Sequence, residues 1–150
     1  MHIWVDADAC PTAIKEIILR AAMRLKISTT LVANKSLSVP TSPYLATMRV
    51  SHGFDVVDDT IAGLVQPGDL VITADIPLAA KIIENGATGL NPRGELYTAE
   101  TIGPRLTMRN MLDELRSTGV VTGGPAPLSL ADRNAFAGQL DRFLLRRGDV

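Results

Sequence analysis

Apolar residues recur along this chain with two periods, and the switches between them mark out its elements. Ile3-Trp4-Val5 is a short apolar run that ends on Asp6 and Asp8 and meets Pro11. Proline suits the first turn of a helix, where an N–H has no partner to lose. Ile14, Ile17, Ile18, Ala21, Ala22 and Leu25 follow at three- and four-residue intervals, with Lys15, Arg20, Arg24 and Lys26 mostly off that stripe. This spacing predicts a helix. Ser28 to Ala33 is rich in β-branched residues and of strand length. A strand, a helix and a strand in that order predict two parallel strands joined by a right-handed crossover.

Asn34 to Pro43 is polar, carries Lys35 and is broken by two prolines, which predicts a surface loop. Tyr44 to Val50 reads as a short helical turn and then a strand around Met48 to Val50. Asp58 to Val65 reads as a short helix, and Pro67-Gly68 as a turn. Asp69 to Ala74 repeats the opening theme, an apolar strand closing on an aspartate, here Asp75, with Pro77 just beyond. Leu78, Ala79, Ile82 and Ile83 form the stripe of the next helix, which stops at Asn85-Gly86. Ala87 to Leu90 is a last short strand and Asn91 to Glu95 a turn. A long helical stretch then places Met108, Met111, Leu112 and Leu115 on one side, and Gly103-Pro104 is expected to kink it or to mark its start. Gly119 to Pro127 reads as a linker. Ser129 and Asp132 have capping-box spacing before a final helix with Phe136, Leu140, Phe143 and Leu144 inward. The expectation is one α/β domain over residues 1–150, three layers deep, with a parallel sheet of about five strands and C-terminal helices.

Composition narrows the setting. The chain is 46% hydrophobic and 21% charged, a globular balance, and holds no apolar run of membrane-spanning length. Its start lacks the basic and apolar regions of a secretory signal. Cys10 is the sole cysteine, so neither an intramolecular disulfide nor a cysteine zinc cage can form. These features fit the cytoplasm and no membrane partner. A net charge of −1 gives no general pull on nucleic acid, so RNA binding would need a local basic patch. Nothing in the pattern speaks to oligomeric state.

The candidate chemistry lies at the two acidic strand ends. In an extended backbone Asp6 and Asp8, two residues apart, point to the same side. A doubly wound strand order of 3-2-1-4-5 would set Asp75 beside them at the switch point, where open α/β sheets bind ligands. Asp58 or Asp59, at the start of the short helix, could close the ring. Clustered carboxylates repel one another unless a hard cation such as magnesium or manganese offsets them. A cation so held supports phosphodiester hydrolysis by activating water and neutralising phosphate charge. Asp59 and Asp75 also stand where helix N-caps belong, a purely structural role. Asp6 ends a buried strand where a lone charge is costly, which favours function. Asp55 and Asp69 read as solvated loop charges, and His2 and His52 are isolated. Cys10 is not the nucleophile of a cysteine phosphatase, because Glu16 stands where that motif needs arginine. On a helical wheel Arg105, Arg109 and Arg116 fall within about 40° of one another. With Arg93 and Lys35 they could hold a phosphate backbone.

Several motifs carry a family likeness. Asp6-Ala7-Asp8-Ala9-Cys10-Pro11, Val71 to Ala79, Leu90 to Tyr97, Thr122-Gly123-Gly124-Pro125 and Gln139 to Phe143 resemble the YaiI/YqxD family of uncharacterised bacterial proteins. Gly103-Pro104 departs from its pattern of helix formers. The resemblance implies a PIN-like domain, related in fold to metal-dependent ribonucleases. It puts the acidic cluster on Asp6, Asp8, Asp59 and Asp75, with Asp6, Asp8 and Asp75 catalytic. The function expected is that of a metal-dependent nuclease acting on RNA. One rival is a haloacid-dehalogenase-like phosphatase, whose first motif is also an Asp-x-Asp strand end. Cys10 stands where that motif carries Thr or Val, and its late Gly-Asp-Gly-x-x-Asp motif is missing. The other rival is an RNA-binding module that does not cut.

Overall fold

A computed structural model describes residues 1–53, 55–119 and 127–147. Among them lie strands β1 (Ile3–Asp6), β2 (Thr29–Ala33), β3 (Leu45–Arg49), β4 (Leu70–Ile72), β5 (Thr88–Leu90) and β6 (Leu96–Tyr97). The helices are α1 (Thr12–Leu25), α2 (Val56–Leu64), α3 (Ile76–Glu84), α4 (Ala99–Ser117) and α5 (Leu130–Arg147). They form one sheet in the order β3-β2-β1-β4-β5-β6. The first five strands are parallel, and β6 is antiparallel to β5.

Strand alternation divides the core between the two faces of the sheet. Ile3, Val5, Leu31, Leu70, Ile72 and Leu90 pack against Ile14 and Ile18 of α1 and Phe136, Leu140 and Leu144 of α5. Val32 and Val71 point the other way, toward Ile61 of α2 and Leu78 and Ile82 of α3. The result is the expected three-layer α/β fold. All of β2 is buried, as a parallel strand covered on both faces must be. The Ser129–Asp132 capping box is formed: each residue's side chain accepts from the other's backbone N–H, at 3.1 and 3.0 Å.

Three readings change. Leu45–Arg49 is strand throughout, with no helical turn before it. As an outer strand it needs partners on one side only, and Ala46, Thr47 and Arg49 stay exposed, so its apolar pattern is weak. The turn after Asn91 runs into β6, where Tyr97 lies across Gly89; a Cβ there would sit 3.0 Å from the Tyr97 ring. A two-residue strand leaves no periodicity to detect. Lastly, of the two expectations for Gly103-Pro104, the start of the helix is ruled out, because Pro104 lies inside α4. The start is fixed upstream by Thr98 and Thr101, whose hydroxyls each accept from the other's backbone N–H at 3.2 and 3.0 Å. Of the apolar side of α4 named above, Met108 and Met111 are 54% exposed and Leu115 42%, and only Leu112 is half-buried. Ile102 and Leu106 are the other half-buried apolar positions of α4. Of the expected linker, residues 120–126 lie outside the described residues, with the Thr122 to Pro125 motif among them. Among the described residues no helix is long and apolar enough to cross a membrane.

Candidate functional site

Strands β1 and β4 are neighbours at the centre of the sheet, with Ile3 opposite Leu70 and Val5 opposite Ile72. The chain builds outward through β2 and β3 on one side and through β5 and β6 on the other. The carboxyl ends of β1 and β4 therefore flank the switch point, and Asp6 and Asp75 stand at its two lips.

Three carboxylates meet there. Asp6 is only 7% exposed, and its Oδ2 accepts from the Thr73 hydroxyl at 3.0 Å. The Thr73 oxygen in turn accepts from the backbone N–H of Asp75 at 2.9 Å. Thr73 thus ties the two strand ends together, a part its sequence position does not advertise. Asp75 caps α3, its Oδ1 accepting from the Leu78 N–H at 2.9 Å. The third member is Asp58, whose carboxyl shares a hydrogen bond with Asp75. Burial, the bond to Asp75 and the charges of Asp75, Asp6 and Asp55 push the Asp58 carboxyl up to about 7. Burial likewise raises Asp6, the Thr73 bond pulls it back, and Asp75 and Asp8 add to the rise. The cluster relieves its repulsion by holding protons.

The other expected carboxylates have partners of their own. Asp59 is exposed and faces Lys81 of α3 at 3.6 Å. Asp8 is not on the strand with Asp6, because the strand ends at Asp6 and Ala7–Ala9 is a 3₁₀ turn, although its charge still acts on Asp6. The extended-chain rule no longer holds in such a turn. Asp8 swings toward β2, where its Oδ2 accepts from the Asn34 N–H at 2.8 Å. Asp69 is no solvated charge: it is 4% exposed. At the opposite end of the sheet it accepts from the His2 and Gln66 backbone N–H groups and from Trp4 Nε1. His2 is not isolated either, since its ring stacks on Trp4 and its Nε2 meets the Thr30 hydroxyl at 2.7 Å. Cys10 is buried, and burial pushes its thiol up to about 12, which removes it as a nucleophile at neutral pH.

Beside the cluster opens a cleft of about 580 Å³, lined by Ala9, Pro11, Ala74, Pro92, Arg93 and Arg105 among others. Ala74 is the chain neighbour of Asp75, so the cleft and the acidic site share a wall. Both arginines are engaged within the chain. Arg93 Nη1 reaches Asp132 at 2.7 Å. Arg105 grips Glu95 through Nε and Nη2 at 2.7 and 2.5 Å. Arg109 is exposed on α4 and is not part of the cleft lining. The side chain of Arg116 lies outside the described residues. Lys35 is exposed in the loop after β2, next to the Asn34 that holds Asp8.

The profile of a family described as "Uncharacterized BCR, YaiI/YqxD family" matches residues 4–146. This chain belongs to that family. Its relatives keep the same length: a UPF0178 protein of Aeromonas hydrophila is 61% identical over 97% of both chains. UPF0178 proteins of Maridesulfovibrio salexigens and Dechloromonas aromatica are 60% and 62% identical, each over 97% of both chains. No solved structure matches the chain. The family likeness read from the motifs is therefore borne out, and the site above is the chemistry that this YaiI/YqxD chain presents at its switch point.

Proposed function

We propose that this protein is a PIN-like, cation-dependent nuclease acting on single-stranded RNA in the bacterial cytoplasm, with Asp6, Asp58 and Asp75 as its acidic centre. One observation carries the reading. Three carboxyl groups converge at the mouth of a central crevice, and among the described residues no basic side chain is bonded to any of them.

The donor set sorts the candidate cations. Among the described residues no three His, Cys, Asp or Glu side chains stand ready to ligate one ion together. That argues against a closed calcium or zinc cage. It agrees with a hydrated magnesium-type cation, which keeps several waters and takes one or two carboxylates. Asp58 and Asp75, already in contact, would hold it. Asp6, with Oδ2 fixed by Thr73, would present its other oxygen to the waters. When bound, such a cation supplies an activated water and neutralises charge on the phosphate. The protein's part is to fix Asp75 at the head of α3 and to orient Asp6 through Thr73. Arg93 and Arg105 would receive the phosphate backbone, with Lys35 and Arg109 at longer range.

The test is manganese titration by calorimetry with a cleavage assay on single-stranded RNA, using wild type, Asp58→Asn and Asp75→Asn. The reading predicts that both variants lose cation binding and cleavage while keeping their fold. Undiminished cation affinity in both would overturn it. Cation binding with hydrolysis of a small phosphate ester in place of RNA would assign a phosphatase. RNA binding that survives in chelator without cleavage would assign a binding module.

A further inference from the structure

The cleft beside the acidic centre has a chemistry of its own. Its volume, about 580 Å³, falls in the range of small-ligand pockets and is far more than one phosphate group fills. The lining has two characters. Pro11, Pro92, Leu128 and the two alanines give an apolar wall. Arg93, Glu95 and Arg105 give a charged one. On the charged side Glu95 occupies the guanidinium fork of Arg105 with both oxygens, the geometry in which arginine takes a phosphate. We propose that this cleft binds one nucleotide unit, its phosphate displacing Glu95 from Arg105 and its base lying on the proline and leucine wall. Glu95 is then an internal stand-in for the ligand's phosphate.

The stand-in keeps Arg105 stretched toward the cleft when no ligand is bound. The loop backbone reinforces the arrangement. The Arg93 N–H donates to Asn91 Oδ1 at 2.8 Å, and Gly94 lies directly on the backbone of α5. A Cβ on Gly94 would meet the Ala135 carbonyl carbon at 2.7 Å. That contact holds Arg93 beside Asp132 at the head of α5. The proposal rests on the nuclease reading only for what happens next to the cleft, because filling the cleft needs no cation.

The experiment is calorimetry in the presence of chelator with adenosine monophosphate, adenosine, inorganic phosphate and a short single-stranded oligoribonucleotide. Wild type, Arg105→Gln and Glu95→Gln are compared. Adenosine monophosphate should bind more tightly than phosphate or adenosine, since only it fills both walls. Arg105→Gln should weaken it at least several-fold. Glu95→Gln should tighten it several-fold, because an amide competes poorly for a guanidinium; a merely structural pair would give no gain. Tighter binding of the oligonucleotide than of the mononucleotide would assign the cleft to a strand, and the reverse to a free nucleotide. No binding of either, or binding that neither substitution changes, overturns the proposal. Manganese binding measured on the same samples keeps a failure here separate from a failure of the acidic centre.

Discussion

Asp75 serves the fold and the site at once, capping α3 through Leu78 and standing beside the Asp58 carboxyl. Substitution can separate the two roles. Asparagine caps about as well as aspartate, so Asp75→Asn should melt near wild type, whereas Asp75→Ala should lose roughly 1 kcal/mol by thermal melting. Asp58 yields a signed pH dependence. Its carboxyl rises from 3.8 to about 7 on folding, so the folded state binds more protons than the unfolded one across that window. Stability should therefore be full below about pH 4 and fall as pH rises toward 7, then level off. Asp58→Asn should flatten that slope. The group is partly solvated, so the gain at higher pH is on the order of 1 kcal/mol after screening, or about 2–4 °C in melting temperature. An unchanged slope would remove Asp58 from the cluster. The choice between Asp58 and Asp59 was open to the sequence. Asp58 precedes the buried Ile61 by three residues and so shares its face, while Asp59 is turned about 100° away. Asp8 could not be placed this way, because nothing in Ala7-Asp8-Ala9 announces a 3₁₀ turn.

At the scale of elements, the boundaries that carry chemistry are held by short polar contacts. Ser129→Ala should lose one half of the capping box at α5, about 0.5–2 kcal/mol by denaturant titration. Gly94→Ala should cost more, because φ is +96° and the added Cβ would press on the α5 backbone. It should also displace Arg93, and with it any phosphate binding in the cleft. The strongly periodic helices α1, α3 and α5 were readable because each has a buried stripe, and at α3 and α5 a side-chain cap marks the start. Strand β3 and helix α4 were misread because both lie at the periphery. With fewer neighbours to bury against, their apolar positions do not report which side faces in. For α4, Met108, Met111 and Leu115 share a side, but that side meets solvent.

For the whole molecule, the two ends of the central strands have opposite duties. At the amino end Asp69 is saturated with donors and holds β1 to β4. Asp69→Ala would strand those donors and cost about 3 kcal/mol, yet should leave cation binding intact once folded. At the carboxyl end a cation must displace protons from the Asp58–Asp75 pair. Its binding should release protons near neutral pH, measured as a buffer-dependent calorimetric heat, and its affinity should rise between about pH 6 and 8. That division of labour was partly legible: two apolar strands ending on aspartates gave the switch point, but the buried Asp69 looks in sequence like any turn residue before a strand.

Cys10 offers a built-in clock on this same end of the molecule. It directly follows the 3₁₀ turn that carries Asp8, it is 7% exposed, and its thiol titrates near 12 where 9 is ordinary. At mildly alkaline pH the closed protein therefore holds much less of the reactive thiolate than a free cysteine would. Alkylation should then be slow in the closed protein and faster in molecules whose turn has swung open. The rate of carboxamidomethylation under native conditions should therefore follow those openings, read at a single atom.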